Sequence, residues 1–274
     1  MSDALAVGSV RTGRQRAVKL PSSASVIRAG IVLLLCLGFL ALWQVAANRL
    51  WINGQLFGSP LGIYNAAYTG LTQGTLASDT LITLYETLGG LAIGSLLGTG
   101  LGLLLWFLPA VSGVAEGFSI LLNSIPKIAL GPLIIIWFGS GAGSKIWLAA
   151  ISTFAVAMIS STAAAREVDR DLLNLFRSFQ AKRIMIFRKL ILPSALPWIF
   201  STLRVNIGFA LIGSVVGEYI ASQAGLGHEV FVAGSLFDLN TVWLGVIILT
   251  LMATLLTFIV QTIEERIVSW KPKR

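Results

Sequence analysis

The sequence predicts an all-α membrane protein with six transmembrane helices and both termini in the cytoplasm. Three observations carry this. Of 274 residues, 55% are hydrophobic and only 12% charged, where a soluble domain carries about 25% charge; the mean hydropathy is +0.84. Six spans of about 20 residues would occupy roughly 120 residues and leave ordinary loops, and no polar stretch of the ~100 residues needed for a separate soluble domain is present. The basic residues, finally, fall almost wholly in three short stretches. A net charge of +8 in a soluble protein would point to nucleic acid. Here the lysines and arginines sit beside apolar segments, so membrane orientation explains them and no nucleic-acid partner is expected. The single cysteine, Cys36, lies in an apolar run, which excludes a disulfide framework or a thiol metal cluster within one chain.

The first 23 or so residues are polar, Ser-rich and basic, and Ile27 to Ala47 then runs almost without polar interruption as a first span. A cleaved signal peptide is the rival reading, but the run exceeds the roughly 7–15 residues of such a core. A second span covers about Leu81 to Leu108 and stops at Pro109. The third, about Val114 to Phe138, is interrupted at Ser124-Ile125-Pro126-Lys127 and again at Gly131-Pro132, so a broken helix is expected. The fourth, fifth and sixth cover about Ile146 to Ala165, Pro197 to Ala221 and Thr241 to Ile263.

Orientation follows from the lysines and arginines, which short cytoplasmic loops retain. Arg11, Arg14, Arg16, Lys19 and Arg28 precede or enter the first span. Arg166, Arg170, Arg177, Lys182, Arg183, Arg188 and Lys189 lie between the fourth and fifth, and Arg266, Lys271, Lys273 and Arg274 close the chain. Segments 51–78, 139–144 and 222–240 then face outward, with only Arg49 and Lys145 at their borders. Gly90, Gly94, Gly98 and Gly102 recur every fourth residue of the second span and lay a smooth stripe where another backbone can approach; helix packing is predicted.

Catalytic machinery is not expected. The closest approach to a phosphate-binding loop, Gly139 to Ile146, has Ser144 in place of the second glycine and Ile146 in place of Ser/Thr, and reads as a turn. One histidine, His228, offers neither a zinc site nor a nucleophile triad. Ionisable residues inside spans are costly and are functional candidates. Glu218 and Arg204 stand out, but fourteen helical residues, roughly 21 Å, keep them from pairing. Arg204 reads as snorkelling to the cytoplasmic surface; Glu218 is either a pathway group or a hydrogen-bonded structural acid. Lys127, at the break, either meets an anion or is a structural charge at a wet notch.

Between spans four and five, Val168, Leu172, Leu175, Phe176 and Phe179 recur at helical spacing while Arg170, Asp171, Asn174, Arg177 and Ser178 take other faces. This reads as an amphipathic helix, for a lipid surface or for a partner's groove. The stretch Asn174 to Pro197 resembles the signature loop of ABC importer permeases, whose pattern is E-A-A, three residues, G, nine residues, I-x-L-P. Leu190-Ile191-Leu192-Pro193 keeps the end, and the following Ser194-Ala195-Leu196-Pro197 resembles permeases for nitrate, sulfonates, taurine and related anions. Asn174-Leu175-Phe176 departs from E-A-A, and Gln180 stands at the glycine, followed by the small Ala181. Ser124 to Leu133, Trp137-Phe138-Gly139, Gly217-Glu218-Tyr219-Ile220 and Gly225-Leu226-Gly227 extend the resemblance over roughly residues 55–265.

The resemblance implies the type I ABC importer permease fold in a single transmembrane domain, 25–270, after a flexible basic tail, 1–24, with a coupling helix in about 166–190. It implies two permease copies or related subunits, two cytoplasmic ATPase subunits that hold ATP and Mg, and a periplasmic or lipid-anchored solute-binding protein; this chain would bind no cofactor. Leu175, Phe176, Phe179, Gln180, Ala181, Leu192 and Pro193 would serve ATPase coupling, with Phe176 and Phe179 as anchors. Asn123, Ser124, Lys127 and Glu218 are candidates for the translocation path, aided by half-helix N-termini at the broken third span. The solute would be small and anionic: nitrate, a sulfonate, bicarbonate or an organic carboxylate. The rival class is a secondary transporter or channel, for which proton coupling would show several titratable groups near mid-membrane; only Glu218 is counted here.

Overall fold

The computed structural model describes residues 23–268. The basic tail lies outside the described residues as far as residue 22, as do Lys271, Lys273 and Arg274. In chain order the helices are α1 (Ser23–Asn48), α2 (Gly54–Phe57), α3 (Pro60–Thr72), α4 (Thr75–Leu104), α5 (Pro109–Ser124), α6 (Gly131–Phe138), α7 (Ala142–Arg166), α8 (Arg170–Ser178), α9 (Arg183–Ile186), α10 (Leu192–Ala221), α11 (Leu226–Ser235) and α12 (Leu239–Ile267). A 3₁₀ turn, Leu105–Phe107, extends α4; another, Lys127–Leu130, leads into α6; a π turn, Phe187–Ile191, joins α9 to α10.

Five helical stretches are long and apolar enough to cross a membrane: Gly30–Asn48, Thr75–Phe107, Ala142–Arg166, Arg183–Ala221 and Leu239–Ile267. The sixth expected span is no single helix. Ile125 and Pro126 are extended between α5 and the 3₁₀ turn, because Pro126 removes a backbone donor and biases its predecessor away from helix. Pro132 then opens α6 at a position where its missing N–H costs nothing.

The bundle centres on α4, α7 and α10. The glycine stripe of α4 faces α7: a Cβ on Gly90, Gly94, Gly98 or Gly102 would lie 2.0–2.6 Å from α7 atoms, backbone carbonyls among them. The Thr153 hydroxyl donates to the Gly90 carbonyl at 3.4 Å and that of Thr162 to the Gly102 carbonyl at 3.4 Å, contacts that only a bare helix face admits. Buried Asn206 of α10 donates through Nδ2 to Ser95 Oγ of α4 at 3.0 Å and to the Thr153 carbonyl of α7 at 3.1 Å. α12 closes the bundle against α10, α11 and α3.

Two segments expected as outer loops are helical. α3 is capped by Ser59, whose hydroxyl accepts from the Gly62 N–H, and starts at Pro60; α11 occupies most of 222–240. Neither has an apolar run of spanning length, which is why hydropathy passed over both. α1 is the most peripheral element, held at its last turns by Trp43 edge-on to Trp243 (5.7 Å between centroids) and by Gln44 accepting from the Leu61 N–H at 2.9 Å.

Candidate functional site

Three groups of candidate residues separate in space. At the basic end of the bundle, α8 starts on Asp169, whose carboxylate accepts from the Asp171 N–H at 2.8 Å. The helix carries two apolar faces. Leu173 and Phe176 pack with buried Val168, Ala164, Ala165 and Ile191, whereas Leu172, Leu175 and Phe179 are exposed, Phe179 to 78%. The two expected anchors therefore part: Phe176 seats α8 on the bundle and Phe179 points away from it. Leu175, Phe179, Gln180, Ala181, Lys182 and Met185 border a groove of about 460 Å³ together with Phe176. Leu192 packs on the inner cluster, and Pro193 follows it in the first turn of α10.

Gln180 takes a left-handed backbone, φ 51°, at the position of the family glycine. The Gln180 N–H donates to the Arg177 carbonyl at 2.9 Å and the Ala181 N–H to the Phe176 carbonyl at 3.1 Å, the two bonds of a Schellman motif. The glycine turn persists without the glycine.

At the break between α5 and α6, Asn123, Ser124 and Lys127 do come together, on a cavity of about 320 Å³ whose far wall is Leu148 and Ser152 of α7 and Phe209, Ile212 and Val216 of α10. The Lys127 ammonium donates to Asn123 Oδ1 at 2.9 Å and lies 5.7 Å from the Phe209 ring centroid, a cation–π distance. The start of α6 is elsewhere: Gly131 is buried, and a Cβ there would meet Ile220 Cδ1 at 2.3 Å. The positive charge at this cavity is Lys127 itself.

Glu218 does not line that cavity. It is 0% exposed at the opposite end of the bundle from α8, where Oε1 accepts from the Thr83 hydroxyl at 2.7 Å and Oε2 from the Gly227 N–H at 2.6 Å. Thr83 Oγ1 in turn accepts from the Leu226 N–H at 2.9 Å, and Asp79 from the Gly225 N–H at 2.7 Å, so α4 and α10 together hold the start of α11. The glycines are required here: a Cβ on Gly225 or Gly227 would lie 2.3 or 2.5 Å from the Glu218 carboxylate.

Two further ionisable residues belong to this cluster, and the count of one intramembrane titratable group was too low. Glu86 of α4 is 2% exposed beside Glu218, and its Oε2 has no partner among the described residues. Lys145 is 1% exposed; its ammonium bonds the Ser140 carbonyl and, at 2.6 Å, the carbonyl of Ala221, the last residue of α10, where a helix end favours a cation. Lys145 was placed at a loop border because the fourth span was begun at Ile146, four residues late. Glu86 lies within the expected second span, where an ionisable residue is itself a functional signal. Arg204, expected to snorkel, pairs with Glu264 in the last turn of α12 and keeps 29% of its side chain exposed.

The described residues thus form a helical bundle with an exposed amphipathic helix, α8, at its basic end. Residues 90–269 match the family described as binding-protein-dependent transport system inner membrane component, and the chain belongs to it. It is 31% identical to the putative aliphatic sulfonates transport permease protein of Bacillus subtilis over 87% of both chains. It is also 31% identical to the riboflavin transport system permease protein of Chloroflexus aurantiacus, over 85% of this chain and 87% of that one. Against the taurine transport system permease protein of Escherichia coli, identity is 28% over 84% and 86%. Its fold is similar to a chain of the MetNI methionine ABC transporter in an inward-facing form, with TM-score 0.61, 21% identity, and coverage of 72% of this chain and 96% of that one. The chain is thus a permease subunit of this transport family, a multi-pass protein of the bacterial inner membrane and a transport subunit rather than an enzyme.

Proposed function

We propose that the chain forms the path of an ATP-driven importer for a small anionic solute of the sulfonate class, delivered by an external binding protein. The observation that carries this reading is Lys127: one half-buried ammonium on a cavity otherwise walled by apolar side chains and the hydroxyls and amide of Ser124, Ser152 and Asn123. In low-dielectric surroundings a lone cation with neutral donors beside it favours one compact anion. Relatives named for aliphatic sulfonates and taurine agree with that charge. Two such permeases would pair, and closure of two ATP- and Mg-holding ATPases would move α8 through its exposed Leu172, Leu175 and Phe179. Pro193 and Pro197 lie in the first turns of α10 and fix the backbone torsion where the π turn runs into that helix.

The test is reconstitution with the partner ATPase and binding protein, followed by uptake of taurine, an alkanesulfonate, nitrate and riboflavin. Lys127→Gln is expected to lower sulfonate uptake about tenfold, one charge-assisted hydrogen bond's worth, with assembly intact; unchanged uptake removes the cavity from the path. Docking is tested separately by Leu175→Asp with Phe179→Asp. Both side chains are exposed, so insertion survives while ATPase co-purification is lost; retention of the ATPase would sink the docking face. Phe176→Asp is unsuited to that purpose, because it buries a charge in the seat.

A further inference from the structure

The cavity at the break between α5 and α6 has two unlike poles. One is polar: the Lys127 ammonium, which gives one proton to Asn123 Oδ1 at 2.9 Å. Its other protons and the Asn123 Nδ2 group remain for an anion. The other pole is apolar. Phe209, Ile212 and Val216 of α10 line it, and their spacing of i, i+3 and i+7 sets them in one stripe about 10 Å long. α10 lies directly on α7 here: a Cβ on Gly213 would stand 2.6 Å from the Ala149 Cα, which leaves no layer of water between the two helices at that level. The charge stands at the Phe209 end of the stripe, 5.7 Å from the ring centroid. No carboxylate stands among the described residues that line the cavity. The hydroxyl of Ser152, on the same wall, donates to the Leu148 carbonyl at 2.8 Å and so offers the cavity one neutral acceptor.

We propose that this cavity selects an anion with an uncharged, apolar tail, an aliphatic sulfonate over an aminosulfonate or a bare inorganic anion, and that Phe209 sets the preference. The inference rests on the reading of the Lys127 cavity as part of the path. A sulfonate held by Lys127 and Asn123 has its first carbon beside the Phe209 ring. Each further methylene laid along Ile212 and Val216 is removed from water, as is the wall beneath it. Nitrate fills the polar pole and leaves the stripe uncovered. Taurine matches 1-propanesulfonate in length but ends in an ammonium, which the same pose carries onto the apolar stripe. There the single acceptor on Ser152 falls short of the hydration that three N–H donors give up, and the ammonium also meets the like charge of Lys127. Lys127 decides the sign of the solute, and the stripe decides what that charge is attached to.

The experiment uses the full chain with its partner ATPase in lipid nanodiscs, without the binding protein, so that only the membrane subunits meet the solute. Saturation-transfer NMR follows 1-pentanesulfonate, with methanesulfonate, 1-propanesulfonate, taurine and nitrate as competitors. Affinity is expected to rise about twofold per methylene, below the roughly fourfold of full burial because the cavity is open on one side. Taurine should bind at least about tenfold more weakly than 1-propanesulfonate. Phe209→Ser should at least halve the pentane-to-methanesulfonate ratio, whereas Lys127→Gln should weaken all the sulfonates about tenfold alike and leave that ratio in place. If Phe209→Ser fails to insert, Ile212→Ser, at a side chain 52% exposed, carries the same comparison, and the taurine contrast needs no variant at all. Equal affinity for taurine and 1-propanesulfonate, or a ratio that neither stripe variant moves, overturns tail selection; a tenfold loss in Lys127→Gln then still leaves the anion path standing. Sulfonate binding that is absent, or indifferent to Lys127→Gln, overturns both.

Discussion

Gln180 holds a backbone conformation that costs an L side chain about 1–2 kcal/mol, and it does so at the one turn that orients α8. The Schellman bonds and the contact of Phe176 and Ala181 with the inner cluster impose the geometry. Gln180→Gly should relieve it by about 1 kcal/mol, read as roughly fivefold slower amide exchange in α8, and Gln180→Val should move exchange the other way. Identical exchange in all three forms would mean that the turn is not under strain. Glu218 is a fixed acceptor of a different kind. Glu218→Ala deprives the buried Gly227 N–H of its partner and should cost about 1–3 kcal/mol, visible as a lower thermal midpoint; an unchanged midpoint would show that α11 is held by other contacts. Glu229 on α11 adds a pH dependence. Burial, and then the neighbouring Asp79 charge, push its carboxyl above the usual range. A raised acid favours the protonated folded form, so stability is highest below the ordinary carboxylate value. It falls as pH rises from there through the raised folded value. Glu229→Gln should flatten this decline, and the midpoint gap between variant and parent should widen with pH.

At the level of elements, the α4–α7 contact is the strongest consequence of residue spacing. Glycines at a period of four leave one face of α4 bare, and α7 approaches until backbone touches backbone. Gly94→Ala would place a Cβ 2.0 Å from Thr153 Oγ1 and 2.2 Å from the Ala150 carbonyl, so about 3 kcal/mol of destabilisation is expected. Gly100→Ala, with nothing within 4 Å of its Cβ, should be neutral or gain about 1 kcal/mol of helix propensity. Comparable thermal midpoints for the two variants would contradict the packing described. This stripe was legible because a period leaves its mark in sequence, and so was the break at Pro126, which follows from a missing donor. α3 and α11 were not: short helices lying on a bundle end need neither a spanning run nor a strict apolar period. The Glu86, Glu218 and Lys145 cluster joins residues from three spans, and a linear reading sees each of them separately.

Across the whole molecule the same division holds between what sequence fixes locally and what only the packed bundle assembles. Apolar runs announced the spans, and the amphipathic helix α8 was legible from its spacing. The split of α8 into a seating face and a free face was not, because Phe176 and Phe179 differ only in what lies beside them. Topology is a further global property, and it rests on charge. α8, the end of α4 and the end of α7 meet at the basic end of the bundle, while Lys145, the end of α10 and the start of α11 meet at the other end. The retention of positive residues on the cytoplasmic side predicts α8 inside and the 73 and 223 turns outside. In a Cys36→Ser background, with Cys36 the only native thiol, a membrane-impermeant maleimide applied to spheroplasts should label Gln73→Cys and Gln223→Cys. It should leave Ser178→Cys unlabelled until the membrane is opened. All three positions are exposed on the protein surface, so failure to label reports the membrane and not burial. Labelling of Ser178→Cys in intact spheroplasts would invert the orientation, moving α8 away from any cytoplasmic ATPase.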